Sequence, residues 1–387
     1  MFEGQFIAPV RRIVGGWVVA GLVAVGASAA QPEALPVGQF LDLKVHSRAL
    51  EHNLLGDSAD QHVLVFLPRN YNSSPNKRYP VVYFLHGFDL VSALGDYGPI
   101  VRKAIASATS ARTVLDMIIV IPNGQNKLYG SYYANSSVTG NWEDYISRDV
   151  VYFIDHHFRT IPNAASRGIA GHSMGGFGAI SIAMDHPDVF SAVFAESPCC
   201  LAFDPTGTYF DRAWRAVMKF RSVKDVDQAA QHGTFMPVAL AAWSAAGLPN
   251  PHRPPMMWDL PVRENNGGLV TIPKVMSRWL ARIPINRIAS QRANLMKLRA
   301  FRIEYGMADE FRDIPPSSLA LARALAEAHI PITLATFTGN HDDHLVERIQ
   351  TKMFAVLFRK PRASMSASHS ARMSTFHPKR TLGSDHA

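Results

Sequence analysis

The sequence predicts a doubly wound α/β fold on a mostly parallel sheet, and three observations predict it. Short apolar runs without polar alternation recur along the chain. Longer helical runs separate them. One stretch, residues 202–298, interrupts the rhythm. A strand apolar at every position is buried on both faces, as in a parallel sheet between two helix layers.

The chain has 387 residues, of which 47% are hydrophobic and 18% charged. That is globular composition with enough apolar material for a large core. Residues 1–30 read as a leader rather than as fold: Arg11 and Arg12 precede an apolar run from Ile13 to Val25, and Ala27-Ser28-Ala29 supplies the small-x-small cleavage pattern. The run is shorter than the ~20 residues a membrane-spanning helix needs, so the expectation is a cleaved signal peptide and a secreted or periplasmic protein with no stable membrane span. The net charge of +8 is concentrated at the ends. The leader contributes +1 and residues 358–387 contribute +5, leaving about +2 for the body. A charge balance so close to neutral gives no basic face for nucleic acid. The Ser-, His- and Arg-rich tail, 358–387, is expected to be disordered.

Within 31–357, strands are expected at residues 63–67, 80–85, 117–121, 167–170, 189–195, 301–305 and 332–337, and helices at 142–157, 175–185, 317–329 and 343–358. Residues 202–298 are rich in Pro, Trp, Met and Arg and show no clear strand. They read as a largely helical insertion, placed where such segments cap an active site. The two cysteines, Cys199 and Cys200, are adjacent. Neighbouring cysteines rarely pair, because the peptide between them is strained, and the two alone cannot build a metal site.

Gly171-His172-Ser173-Met174-Gly175 fits G-x-S-x-G and lies between an expected strand and an expected helix. That context defines the nucleophile elbow of an α/β-hydrolase fold. The turn leaves no room for side chains beside the serine, and the helix start behind it favours an oxyanion. Ser173 is therefore the candidate nucleophile, with the Met174 amide as one oxyanion donor. A serine needs a base, and in this fold the acid and then the histidine follow it in the chain. Asp309, in the turn after residues 301–305, is the candidate acid, with Glu310 and Asp313 as competitors. His341, after residues 332–337, is the candidate base, with His344 as its competitor. Asp309 would fix the tautomer of His341. The second oxyanion donor is expected from Leu85-His86-Gly87-Phe88, as the Phe88 amide, with His86 packing beneath the loop.

Four blocks resemble the putative-esterase family of α/β hydrolases, which includes esterase D, feruloyl esterases, enterochelin esterases and antigen 85-type mycolyltransferases. They are Tyr79 to Phe88, Gly140 to Ile146, Phe158 to Pro162 running on to Gly171–Ala179, and Gly306-Met-Ala-Asp309 with Gly339-Asn-His341. The resemblance implies the Ser173, Asp309 and His341 triad, the Phe88 and Met174 oxyanion hole, and no metal or organic cofactor. Asn135, Trp142 and Asp144 fall in shared blocks, where packing and helix-start roles explain them as well as substrate contact. The chain departs from the family in its long insertion and in Asp342-Asp343 after the histidine. The expected function is a serine carboxylic-ester hydrolase acting through an acyl-enzyme on a small-molecule, lipid or sugar ester. The alternatives are acyl transfer to an alcohol, as mycolyltransferases perform, and an inactive hydrolase-fold binding protein.

Overall fold

A computed structural model describes residues 38–110, 116–202 and 208–357. The expected signal peptide at 1–30 and the tail at 358–387 lie outside the described residues.

The central sheet has eight strands: β1 (Phe40–His46), β2 (Asp60–Phe66), β3 (Val81–Leu85), β4 (Ile118–Pro122), β5 (Arg167–His172), β6 (Ala192–Glu196), β7 (Ala300–Gly306) and β8 (Thr333–Phe337). Their order is β1-β2-β4-β3-β5-β6-β7-β8. β2 runs antiparallel to both neighbours, and every pairing from β4 to β8 is parallel. The seven expected strands are all present, with no end moved by more than three residues. β1 was not expected. Its residues alternate between half-buried and exposed at the sheet edge, so they lack the continuous apolar signature of the inner strands.

β3 shows how the sheet separates two cores. Val81, Tyr83 and Leu85 face one side, and Val82 and Phe84 face the other. The second side is covered by α1 (Ala93–Ser110) and by the final helical run at residues 345–357. α1 was not expected, because Gly95, Gly98 and Pro99 break its pattern within two turns. The first side carries the helical run 142–157 and α2 (Met174–Asp185). Asn135 opens the 142–157 run: its Oδ1 accepts from the Glu143 and Asp144 amides, both at 3.1 Å. Trp142 is buried and donates its indole N–H to the Thr139 carbonyl at 2.7 Å. In this structure all three shared-block residues have local structural partners.

The insertion leaves the sheet after β6 and returns at β7. It contains α3 (Asp211–Val217), α4 (Val223–Gln231), α5 (Phe235–Gly247), α6 (Pro273–Leu280) and α7 (Pro284–Leu295). The expectation of no strand here needs correction: Val262–Asn265 pairs with Gly268–Thr271 as an antiparallel hairpin. Asn266 and Gly267 turn it with positive φ of 49° and 81°, the backbone of a tight Asn-Gly turn whose twist matches the strands. That dipeptide was the readable signal. α5 is buried along almost its whole length, and Trp243 joins it to the body. Its ring lies 5.6 Å from Tyr132, stacked, and 4.4 Å from Trp279 of α6. After β7, α8 (Ile314–Glu327) begins three residues earlier than expected, with Pro315 and Pro316 in its first turn, where proline's missing N–H costs no helical bond.

Candidate active site

Ser173 sits between β5 and α2 with φ 55° and ψ −118°, a region that side-chain-bearing residues avoid and that persists only where the surroundings enforce it. The enforcement is steric. A Cβ on Gly171 would lie 2.2 Å from the Gly175 carbonyl oxygen, and one on Gly175 would lie 1.9 Å from the Leu85 oxygen. β6 and the loop after it brace the turn: the Ser173 amide donates to the Glu196 carbonyl at 2.9 Å, and the Cys199 amide donates to the Ser173 carbonyl at 3.3 Å.

The loop after β3 passes directly over the serine, since a Cβ on Gly87 would stand 3.4 Å from Ser173 Cβ. His86 is fully buried beneath this loop. Its Nδ1–H donates to the Gly87 carbonyl at 2.8 Å, and its Nε2 accepts from the Gly124 amide at 2.7 Å. Burial holds its pKa down at about 4, so the ring is a neutral strut. Phe88 and Met174 both pack on Gly130, where a Cβ would meet Phe88 Cδ2 at 2.4 Å and Met174 Sδ at 2.7 Å. Met174 is the first residue of α2, so its N–H has no carbonyl within its own helix.

The loops after β7 and β8 are stitched together. The Met307 amide donates to the Phe337 carbonyl and the Ala308 amide to the Gly339 carbonyl, each at 2.9 Å. Gly306 lets them close, because a Cβ there would meet the Gly339 and Asn340 oxygens at 2.5 Å. The stitching brings Asp309 and His341 together in a buried pair, with Nδ1 at 2.9 Å from Oδ2. The other Asp309 oxygen accepts from the Phe311 amide at 2.9 Å. A carboxylate oxygen accepts, so this bond places a proton on the Nδ1 side of the ring. The competitors have other partners. Glu310 accepts from the His341 amide at 3.0 Å, and exposed His344 faces Glu347 at 3.5 Å. Asp313 lines the cleft over Ser173, and desolvation raises its pKa.

Sequence reasoning missed two residues behind this pair. The His172 Nε2–H donates to the His341 carbonyl at 3.0 Å, and its Nδ1 accepts from the Tyr97 hydroxyl at 2.6 Å. Burial, and then His341 beside it, lower the His172 pKa to about 4. The x position of the elbow was visible, but Tyr97 lies on the unexpected helix α1. Among the described residues, His172, His341 and Asp342 bring possible metal-donor atoms within 4.8 Å of one another. Both His172 nitrogens are already in hydrogen bonds, which leaves that cluster short of donors.

The cleft above Ser173 is narrow and open to solvent. Its walls include Phe88, Tyr132 and Phe311 from the body and Phe235, Leu240 and Trp243 from α5.

The strand order and the strained serine turn define the class: this is an α/β hydrolase. The chain belongs to the family described as Putative esterase, whose model matches residues 58–352. An esterase of Mycobacterium tuberculosis strain H37Rv is 32% identical over 139 residues, which is 35% of this chain and 28% of that protein. The matched stretch thus spans about a quarter of the curated mycobacterial relative. A ferulic acid esterase superposes with a TM-score of 0.55 at 18% identity, over 82% of this chain and 98% of that one. Staphylococcus aureus fluorophosphonate-binding serine hydrolase F gives 0.52 at 19%, over 82% and 99%. These two likenesses show the shared fold. No helix among the described residues is long and apolar enough to cross a membrane.

Proposed function

We propose that the protein is a serine carboxylic-ester hydrolase working through an acyl-enzyme on Ser173. The observation that carries this reading is the strained elbow, which holds a serine at a helix start and under the loop after β3, next in sequence to His172, whose ring lies 4.6 Å from that of His341 in the buried Asp309–His341 pair. His341 Nε2 takes the Ser173 proton as Oγ attacks the ester carbonyl. Asp309 keeps the ring in the required tautomer and stabilises the imidazolium. The Phe88 and Met174 amides donate to the oxyanion, aided by the α2 dipole. The imidazolium protonates the leaving alcohol, and water activated by His341 then releases the acid.

The insertion acts as a cap whose α5 supplies one wall of the acyl cleft. The apolar lining favours esters of small molecules with a hydrophobic acyl group. Residues 1–30 serve as an export signal, so the mature chain begins at Ala30 or Gln31. N-terminal sequencing of the exported protein tests this point, and a retained Met1 refutes it.

The central test is a p-nitrophenyl ester series from acetate to palmitate, with fluorophosphonate labelling alongside. Wild type turns over at least one ester and takes one label. Ser173→Ala loses both, with a fall in kcat of about 10³-fold or more. Turnover surviving in that variant sinks the assignment of the nucleophile.

A further inference from the structure

Cys199 and Cys200 follow β6 and both line the cleft over Ser173. Successive side chains in extended chain point to opposite faces. Here Cys200 has φ 65°, which breaks that alternation and turns both thiols into the same space. Cys199 is fixed by its amide bond to the Ser173 carbonyl. Both cysteines are free thiols, and Cys200 is buried while Cys199 is half-buried.

The pair is poorly suited to a disulfide. Adjacent Cα atoms are about 3.8 Å apart across a trans peptide, whereas disulfides span roughly 4.4–6.8 Å between Cα atoms. A tetrahedral metal needs four donors, and this pair supplies two. A soft three-coordinate centre that brings its own third substituent needs only two sulfurs, and a bridging atom relieves the short span.

We propose that Cys199 and Cys200 form a dithiol site for trivalent organic arsenoxides, whose capture closes the cleft over Ser173. With phenylarsine oxide, two As–S bonds form. The oxide oxygen leaves as water with both thiol protons, and arsenic stays trivalent. Cys199 reacts first because it is the more exposed, and Cys200 closes the ring.

The test uses the full chain, phenylarsine oxide and intact-protein mass spectrometry. Wild type gains the mass of one phenylarsine oxide less one water, a phenylarsenic group in place of the two thiol hydrogens. The adduct survives excess glutathione, a monothiol, and is removed by 2,3-dimercaptopropanol. Cys199→Ser and Cys200→Ser each lose the glutathione-resistant adduct, with circular dichroism confirming that they fold. Ser173→Ala keeps it, so this arm reads the thiol site independently of the proposed hydrolase chemistry. Fluorophosphonate labelling of Ser173 is lost in the wild-type adduct and returns with the dithiol. An adduct that glutathione strips from wild type, or that persists in either serine variant, overturns the chelate. Undiminished labelling of the adduct overturns closure of the cleft.

Discussion

Tyr97 and His172 hold the proposed base through its backbone rather than its ring. His172 donates to the His341 carbonyl while accepting from Tyr97, so it stays neutral to do both. Its pKa of about 4 lies below the ordinary value near 6.5. Between those two values the unfolded chain binds the proton that the folded chain refuses, so lowering the pH favours unfolding. Wild type therefore loses stability relative to His172→Phe as pH falls from about 6.5 to about 4, by up to about 3 kcal/mol. Urea midpoints of the two proteins at pH 7 and pH 4.5 measure this, and a constant difference would refute it. Asp309→Asn leaves the fold intact but offers His341 the wrong partner. Its kcat on the best p-nitrophenyl ester should fall about 10³- to 10⁴-fold, with KM little changed. The strained serine turn and the Asp309–His341 contact were readable as candidates because each residue belongs to a local turn with its own chemistry. Tyr97 was not, because its partner lies 75 positions away and nothing local marks the pairing.

Elements meet at the site through missing side chains and through aromatic contacts. α2 approaches β3 so closely at Gly175 that a methyl group would overlap the Leu85 carbonyl. Gly175→Ala should cost about 3 kcal/mol or more, read as a lowered thermal midpoint, and a midpoint within a degree of wild type would show that the turn can relax. α5 makes the opposite kind of contact, filling space with Trp243 against Tyr132 and Trp279. Trp243→Ala should destabilise by about 3–5 kcal/mol and shift the ester series toward longer acyl chains. An unchanged chain-length profile would remove α5 from the acyl wall. The inner strands were legible from their unbroken apolar runs. β1 and α1 were not, the first because an edge strand is half solvated and the second because glycine and proline interrupt its period.

Across the whole molecule, a buried charge cluster ties the end of the described chain to the sheet. Arg348 pairs with Glu304 of β7 and lies 3.7 Å from Glu196 of β6, while Arg302 also pairs with Glu304. Desolvation raises the Glu196 pKa, so this carboxyl depends on its neighbours. Arg348→Leu leaves buried carboxylates short of a cation and should cost about 3–5 kcal/mol. Chemical denaturation checks it, and a loss below 1 kcal/mol would mean that solvent reaches the cluster. Nothing local in the sequence marks these residues, because burial of Glu304 and Glu196 depends on Arg348, more than 40 positions away. The doubly wound plan was visible for the converse reason: it is written in apolar runs that need no distant partner to be recognised.

The insertion departs from β6 and returns to β7, which are direct neighbours with Ala192 in register with Ala300. The two strands are parallel, so the segment leaves at the Glu196 end of β6 and re-enters at the Ala300 end of β7, with its stems about 13 Å apart along the strand direction. Its helices are also tied to the body: the Tyr132 and Ser136 hydroxyls donate to the Ala239 and Ala245 carbonyls of α5, and the Asn294 side-chain amide of α7 donates to the Met184 carbonyl of α2. A different segment put in its place would have to rebuild these anchors, so the cleft wall and the support of the sheet are exchanged together or not at all.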